Sequence, residues 1–284
     1  MPCSVLQRAA REGLRITSVG PTRPSGVIVG LARLLPFGTP GWDELLKLPT
    51  IADRVARLAE PATRKRLTAE AKEAGFLLGF PPSAMHPLRM GETTYHDLDE
   101  KMSVQQLADE AGADPIELYI ERLIESEGLE LTNQWHFGFP ASEQQKYLRL
   151  KHVIPMVGDS GAHVGMVMDA DSPTFLLAEL VRERGVFTLP DAIHRITRQA
   201  AEVLGLPERG LVREGWHADL NVIDYENLGS CQPEYVYDFP LGGGRFVCKS
   251  KGYVATLVAG QPIIENGTHS GARPGQVLRE FRRG

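Results

Sequence analysis

The run Val153 to Val157 is short and apolar, and it stops at Gly158-Asp159-Ser160-Gly161-Ala162-His163-Val164. That pattern places an acid on the C-terminal rim of a buried strand, among neighbours too small to shield it. In a (β/α)8 barrel the C-terminal strand ends hold the active site, and small residues there let a ligand approach the backbone. An aspartate so placed can ligate a divalent metal and shuttle the proton of a metal-bound water. The same spacing also suits an aspartate that caps a turn or the following helix. His163, four residues on, either touches substrate, orients the acid, or packs behind it.

Upstream, Leu14 to Val19 follows Gly13 and ends before Pro21 and Pro24, which predicts a short buried strand entering a loop. Arg23 lies in that loop next to Pro24, which restricts its direction. From Pro36 to about Leu150 the grammar is mostly helical. Thr50 with Asp53, and Ser103 with Gln106, form capping boxes, and Asp114-Pro115-x-Glu117 opens another helix. Phe80 to Glu92 is rich in proline and glycine and predicts a loop. Leu129 to Phe137 is β-like, and a short helix follows Pro140. Ser172-Pro173 and Thr188 with Asp191 open two further helices. The second carries Leu189, Ile193, Ile196, Ala200 and Val203 at packing spacing and stops at Gly205. From Pro207 the texture changes to short strands. Ala218, Leu220 and Val222 alternate with polar residues, Ala259-Gly260 separates two apolar runs, and Asn266-Gly267 marks a hairpin turn.

With 42% hydrophobic and 24% charged residues over 284 positions, the chain can bury a sizeable core as a soluble globular protein. A formal net charge of −5 without a basic run argues against nucleic acid and anionic membranes and leaves a small molecule as the expected partner. Cys3, Cys231 and Cys248 are odd in number and far apart, in no C-x-x-C pattern, which fits a reduced cytoplasm. Neither the Val27 to Phe37 stretch nor the N-terminus reads as a membrane span or signal peptide.

Several ordered motifs carry a family resemblance. Val157 to Val164, Asp169-Ala170-Asp171-Ser172-Pro173-Thr174 and Arg182-Glu183-Arg184-Gly185 are followed by Arg209-Gly210-Leu211-Val212, Ala218-Asp219-Leu220, Val258-Ala259-Gly260, Glu265-Asn266-Gly267 and Gly271-Ala272-Arg273-Pro274-Gly275. With Gly13 to Thr17, Arg23-Pro24 and Ala113-Asp114-Pro115 upstream, this order resembles the N-acyl-D-amino-acid deacylases (D-aminoacylases) of the amidohydrolase superfamily. The resemblance implies an α/β fold, the C-terminal part of a metal-dependent hydrolase barrel with a helical insertion over residues 1–206. Residues 207–284 then form part of a composite β domain. It also implies hydrolysis of a non-peptide amide bond, with zinc as the family's metal and an N-acyl-D-amino acid as substrate. Asp159 becomes metal ligand and general base turned general acid. Arg23 becomes the group that takes the substrate's α-carboxylate through a bidentate contact, where an ordinary loop-bracing arginine is the alternative.

The sequence departs from that family in one respect. His86, His96, His136, His152, His163, His194, His217 and His269 are all single, with no His-x-His pair, and Cys3 carries no ligand role. A whole barrel takes roughly 250 residues, so this chain has room for its last two or three strands. The expectation is a chain truncated at its start that needs an N-terminal half from another chain, and that alone neither keeps zinc nor turns over. A non-catalytic remnant or binding module, and a cyclic-amidase-like activity, stand as the alternatives.

Overall fold

The computed structural model describes residues 2–23, 25–90, 102–137, 141–155, 158, 161–166, 169–279 and 281. Helix α1 (Pro2–Arg11) ends at Gly13, whose positive φ of 71° turns the chain out of the helix. Strand β1 (Ser18–Gly20) follows and pairs in parallel with β5 (Val153–Pro155), Ser18 opposite Val153 and Gly20 opposite Pro155. The predicted buried strand from Leu14 is thus shorter than expected, and Leu14 and Val19 are each 54% exposed. Within the described residues β1 has β5 as its strand neighbour.

Between these partners lies an inserted α/β unit. Strands β2 (Ser25–Gly30), β3 (Met85–Arg89) and β4 (Glu130–Phe137) form an antiparallel sheet in the order β2-β4-β3. The β-like stretch expected at Leu129–Phe137 is β4, whereas the predicted Phe80–Glu92 loop contains β3, with Glu92 itself outside the described residues. Pro87 concealed that strand, because proline lacks a donor. It is tolerated here because β3 is an edge strand bonded to β4 alone.

Helices α2 (Pro40–Leu46), α3 (Ile51–Ala59), α4 (Pro61–Ala74), α5 (Val104–Ala111) and α6 (Pro115–Glu125) pack on this sheet. The core they enclose includes Leu31 and Phe37 from the loop after β2 and Trp42, Leu58, Leu67, Tyr119 and Leu123 from the helices. The Trp42 ring lies 4.7 Å from that of Phe37, and its indole N–H donates to Leu67 O at 3.0 Å, so the large side chain is buried without leaving its donor orphaned. Both predicted capping boxes form. Thr50 Oγ1 accepts from Asp53 N at 3.1 Å while Thr50 N donates back to Asp53 Oδ2 at 3.2 Å, and Ser103 with Gln106 repeats the arrangement. Replacing Thr50 by Ala is expected to cost about 1 kcal/mol, read as a lower urea midpoint with an unchanged slope.

After α7 (Ala141–Leu148) and β5, helix α8 (Ser172–Phe175) runs into a π-helical stretch, Leu176–Glu183. Helix α9 (Leu189–His194) likewise continues through a π-helical stretch, Arg195–Gln199, into α10 (Ala200–Leu204), which Gly205 caps at φ 67°. The second helix was expected to pack by Leu189, Ile193, Ile196, Ala200 and Val203. Ala200 is buried and Ile196 packs against the core, while Leu189, Ile193 and Val203 are exposed and Ala192 and Ala201 are buried beside Ala200.

The remaining strands are short: β6 (Leu220–Ile223), β7 (Gly229–Ser230), β8 (Glu234–Val236), β9 (Arg245–Val247), β10 (Ser250–Lys251), β11 (Tyr253–Val258), β12 (Gln261–Glu265) and β13 (Thr268–His269). β13-β12-β11-β6 form one antiparallel sheet, and β8 with β9 forms a hairpin. Ala259-Gly260 and Asn266-Gly267 both have positive φ at each position, as two-residue turns matching strand twist require. The hairpin predicted at Asn266-Gly267 is present, with Glu265 opposite Thr268. Among the described residues no helix is long and apolar enough to cross a membrane.

Candidate functional site

Because β1 and β5 run parallel, the chain leaves both at the same end, Arg23 three residues beyond Gly20 and Gly158 three beyond Pro155. Asp159 lies outside the described residues, as do Val157 and Ser160. Its neighbour Gly158 packs tightly, since a Cβ there would lie 2.8 Å from Asp169 O and 3.3 Å from the Asp169 carboxyl carbon. A side chain at 158 would push the two loop limbs apart. Two residues on from Asp169, Asp171 Oδ1 meets Arg23 Nη2 at 2.9 Å, with the two side chains 0% and 4% exposed. Thr22 Oγ1 donates to Ser172 O at 3.1 Å alongside this pair, and the Arg23 guanidinium lies 5.6 Å from the centre of the Phe175 ring. On this geometry Arg23 braces the loop. The carboxylate contact expected of it requires Asp171 to turn away.

The distal limb of the loop is held from two sides. Ile28 N of β2 donates to Met166 O at 2.7 Å, and Phe246 N of β9 donates to Val164 O at 2.8 Å. His163 immediately precedes these anchors with its side chain exposed, and its carbonyl accepts from Met166 N at 2.8 Å. The inserted unit and the β tail thus meet on the loop that carries the candidate acid.

Cys248 lies beside the Arg23–Asp171 pair, its thiol donating to Cys231 O at 3.4 Å. Burial pushes the thiol up to about 12, and the Asp171 carboxylate pushes it the same way. An unfolded thiol ionises near 9.0, so above that pH the unfolded chain releases a proton that the folded chain retains. Stability is therefore expected to be unaffected by this group below about pH 9 and to fall as pH rises from there toward about 12. Urea melts at pH 8 and pH 10.5 test this. The loss in the native chain should exceed that of Cys248→Ala, and equal losses would remove the thiol from the account.

The zinc that the resemblance implies finds no such donor set among the described residues, where no three His, Cys, Asp or Glu side chains converge. The sequence likewise lacks a His-x-His pair. The residues at hand do not fit a catalytic zinc, which takes three protein ligands and a water.

Residues 150–264 match the amidohydrolase family. The matched stretch begins just before β5 and ends within β12, taking in the candidate loop and most of the β tail. The chain is 36% identical over 105 residues to the N-acyl-D-aspartate deacylase of Alcaligenes xylosoxydans xylosoxydans, covering 37% of this chain and 19% of that protein. It is 35% identical over 114 residues to adenine deaminase 1 of Agrobacterium fabrum, covering 33% and 19%. The chain therefore spans about a fifth of the length of the curated relatives it matches. Among solved structures, a D-aminoacylase aligns at 19% identity and TM-score 0.38 over 73% of this chain and 44% of its own. A zinc-bound N-acyl-D-glutamate deacylase from Bordetella bronchiseptica aligns at 21% and 0.38 over 77% and 46%. The deacylase resemblance read from the motifs is found again in these matches, and the chain is α/β.

Sequence reasoning did not single out Asp171 as the partner of Arg23. The signal available was its place in Asp169-Ala170-Asp171-Ser172-Pro173, an acid one residue before a helix start and hence within the buried loop rather than on a solvated face.

Proposed function

We propose that this amidohydrolase segment serves the hydrolysis of a non-peptide amide bond in an N-acyl-D-amino acid. The observation that carries this reading is the match of residues 150–264, with 36% identity to a deacylase of N-acyl-D-aspartate. Residues 1–206 then supply the last strands of a hydrolase barrel together with its insertion, and 207–284 part of a small β domain. The parallel β1–β5 pair supports this, since parallel strands normally lie in larger sheets, and among the described residues β1 pairs with β5 alone and leaves Val19 54% exposed. Asp159 accepts the proton of the attacking water and returns it to the departing amine nitrogen, so one carboxylate acts first as base and then as acid. Arg23 takes the substrate's α-carboxylate once Asp171 turns away, and His163 meets the substrate from the exposed side of the loop. The donors of a zinc site come from residues outside this chain, in the N-terminal half of the family's barrel.

The test is to purify the chain, measure bound metal by elemental analysis, and follow D-amino-acid release with and without an N-terminal half added in trans. The expected result is activity only with both parts. Stoichiometric zinc and turnover by the chain alone would overturn the need for a partner. Inactivity even with the partner would favour a non-catalytic remnant, and turnover of cyclic amides in place of acyl amino acids would reassign the substrate.

A further inference from the structure

Away from the candidate loop, a groove of about 510 Å³ opens between the last helices and the β tail. Its size lies within the range of small-molecule sites, roughly 300–1,000 Å³. Two π-helical stretches, Leu176–Glu183 and Arg195–Gln199, build one wall through Leu177 and Ile196. Such stretches are rare and recur where a helix is distorted for function. Against the second of them presses Gly210, at φ 83°, so close that a Cβ would fall 2.8 Å from Arg198 Cα and from the Thr197 carbonyl. No other residue fits there, so the loop that forms the groove's lip is fixed in place. That lip presents Leu211 and Val212 to water, Val212 at 88% exposure. Facing them across the groove are Leu220 and Ile223 of β6.

The polar part of the lining sets the charge of what fits. His194 comes from the helical wall and His217 from the strand wall, both exposed, and each imidazole offers an N–H. The carboxylate in the lining, Asp219, is already bound by Arg209, so it does not repel an anion. We propose that this groove binds apolar carboxylates, with the hydrocarbon between the Ile196 and Ile223 walls and the carboxylate at the histidine-lined edge.

The probe is octanoate, titrated calorimetrically into the full chain, with octanol as its uncharged counterpart. The expected result is saturable one-site binding of octanoate, about tenfold tighter than octanol because a charge-assisted hydrogen bond is lost with the head group. Leu211→Asp with Val212→Asp, both at exposed positions, should weaken octanoate by about tenfold or more while leaving the circular dichroism and urea midpoint unchanged. His194→Ala with His217→Ala should bring octanoate down to the octanol affinity. Failure to saturate at millimolar octanoate, or binding unaffected by the lip substitutions, would overturn the proposal. So would a dimer in sedimentation that the Val212 change dissolves, since a second copy would then fill the groove. Equal binding of octanoate and octanol by the unchanged chain would overturn the carboxylate preference.

Discussion

Asp159→Asn is expected to lower turnover of an N-acyl-D-amino acid by about 10²- to 10⁴-fold in the completed enzyme, the usual contribution of a positioned general acid–base. Asparagine keeps the shape and can still accept a hydrogen bond, but it cannot take up the water's proton. The loss should therefore fall on kcat, with KM changed little, because the interaction removed exists in the transition state rather than in the bound substrate. Steady-state rates of D-amino-acid release, on protein whose urea midpoint matches the unmodified form, decide it. Turnover within twofold of the unmodified enzyme would strip Asp159 of its role and return it to capping a turn.

The second large effect is on stability. Arg23→Met leaves Asp171 as a carboxylate with 0% side-chain exposure facing no countercharge, and breaking one side of such a pair typically costs about 3–5 kcal/mol. Two apolar residues of similar volume repair most of that loss in other buried pairs. The double change Arg23→Met with Asp171→Leu should accordingly be more stable than Arg23→Met alone. Urea unfolding of the three forms measures it. A single-mutant loss below about 1 kcal/mol would mean that water reaches the pair as it reaches a surface ion pair.

What the sequence made legible was the chemistry that is local in the chain. Thr50 with Asp53, Ser103 with Gln106 and Asp114 before Pro115 mark helix starts within three or four residues, and Asn266-Gly267 sets a turn by its own backbone preference. What stayed hidden depends on distant partners. Nothing near Met85–Arg89 announces a strand, because Pro87 reads as a loop until β4 lies beside it. Leu189, Ile193 and Val203 sit at helical spacing with Ile196 and Ala200, yet these three stay exposed, because which side of a helix faces inward is set by what packs against it. At the site, the acid after the apolar run could be read from Val153 to Asp159. The pairing of Arg23 with Asp171 could not, since the two are separated by the whole inserted unit.

That insertion also dictates an order of assembly. To bring Ser18 beside Val153 in an unfolded chain means closing a loop of well over roughly a hundred residues, an entropic cost that precedes any gain from the short β1–β5 ladder. The β2–β4 register removes most of that separation beforehand, since Ser25 lies opposite Phe137. Once the inserted unit has folded, β1 and β5 are tethered by only its flanks. The insertion is then a kinetic clamp, and the candidate loop is formed late, after the unit that separates its two limbs has already brought them together.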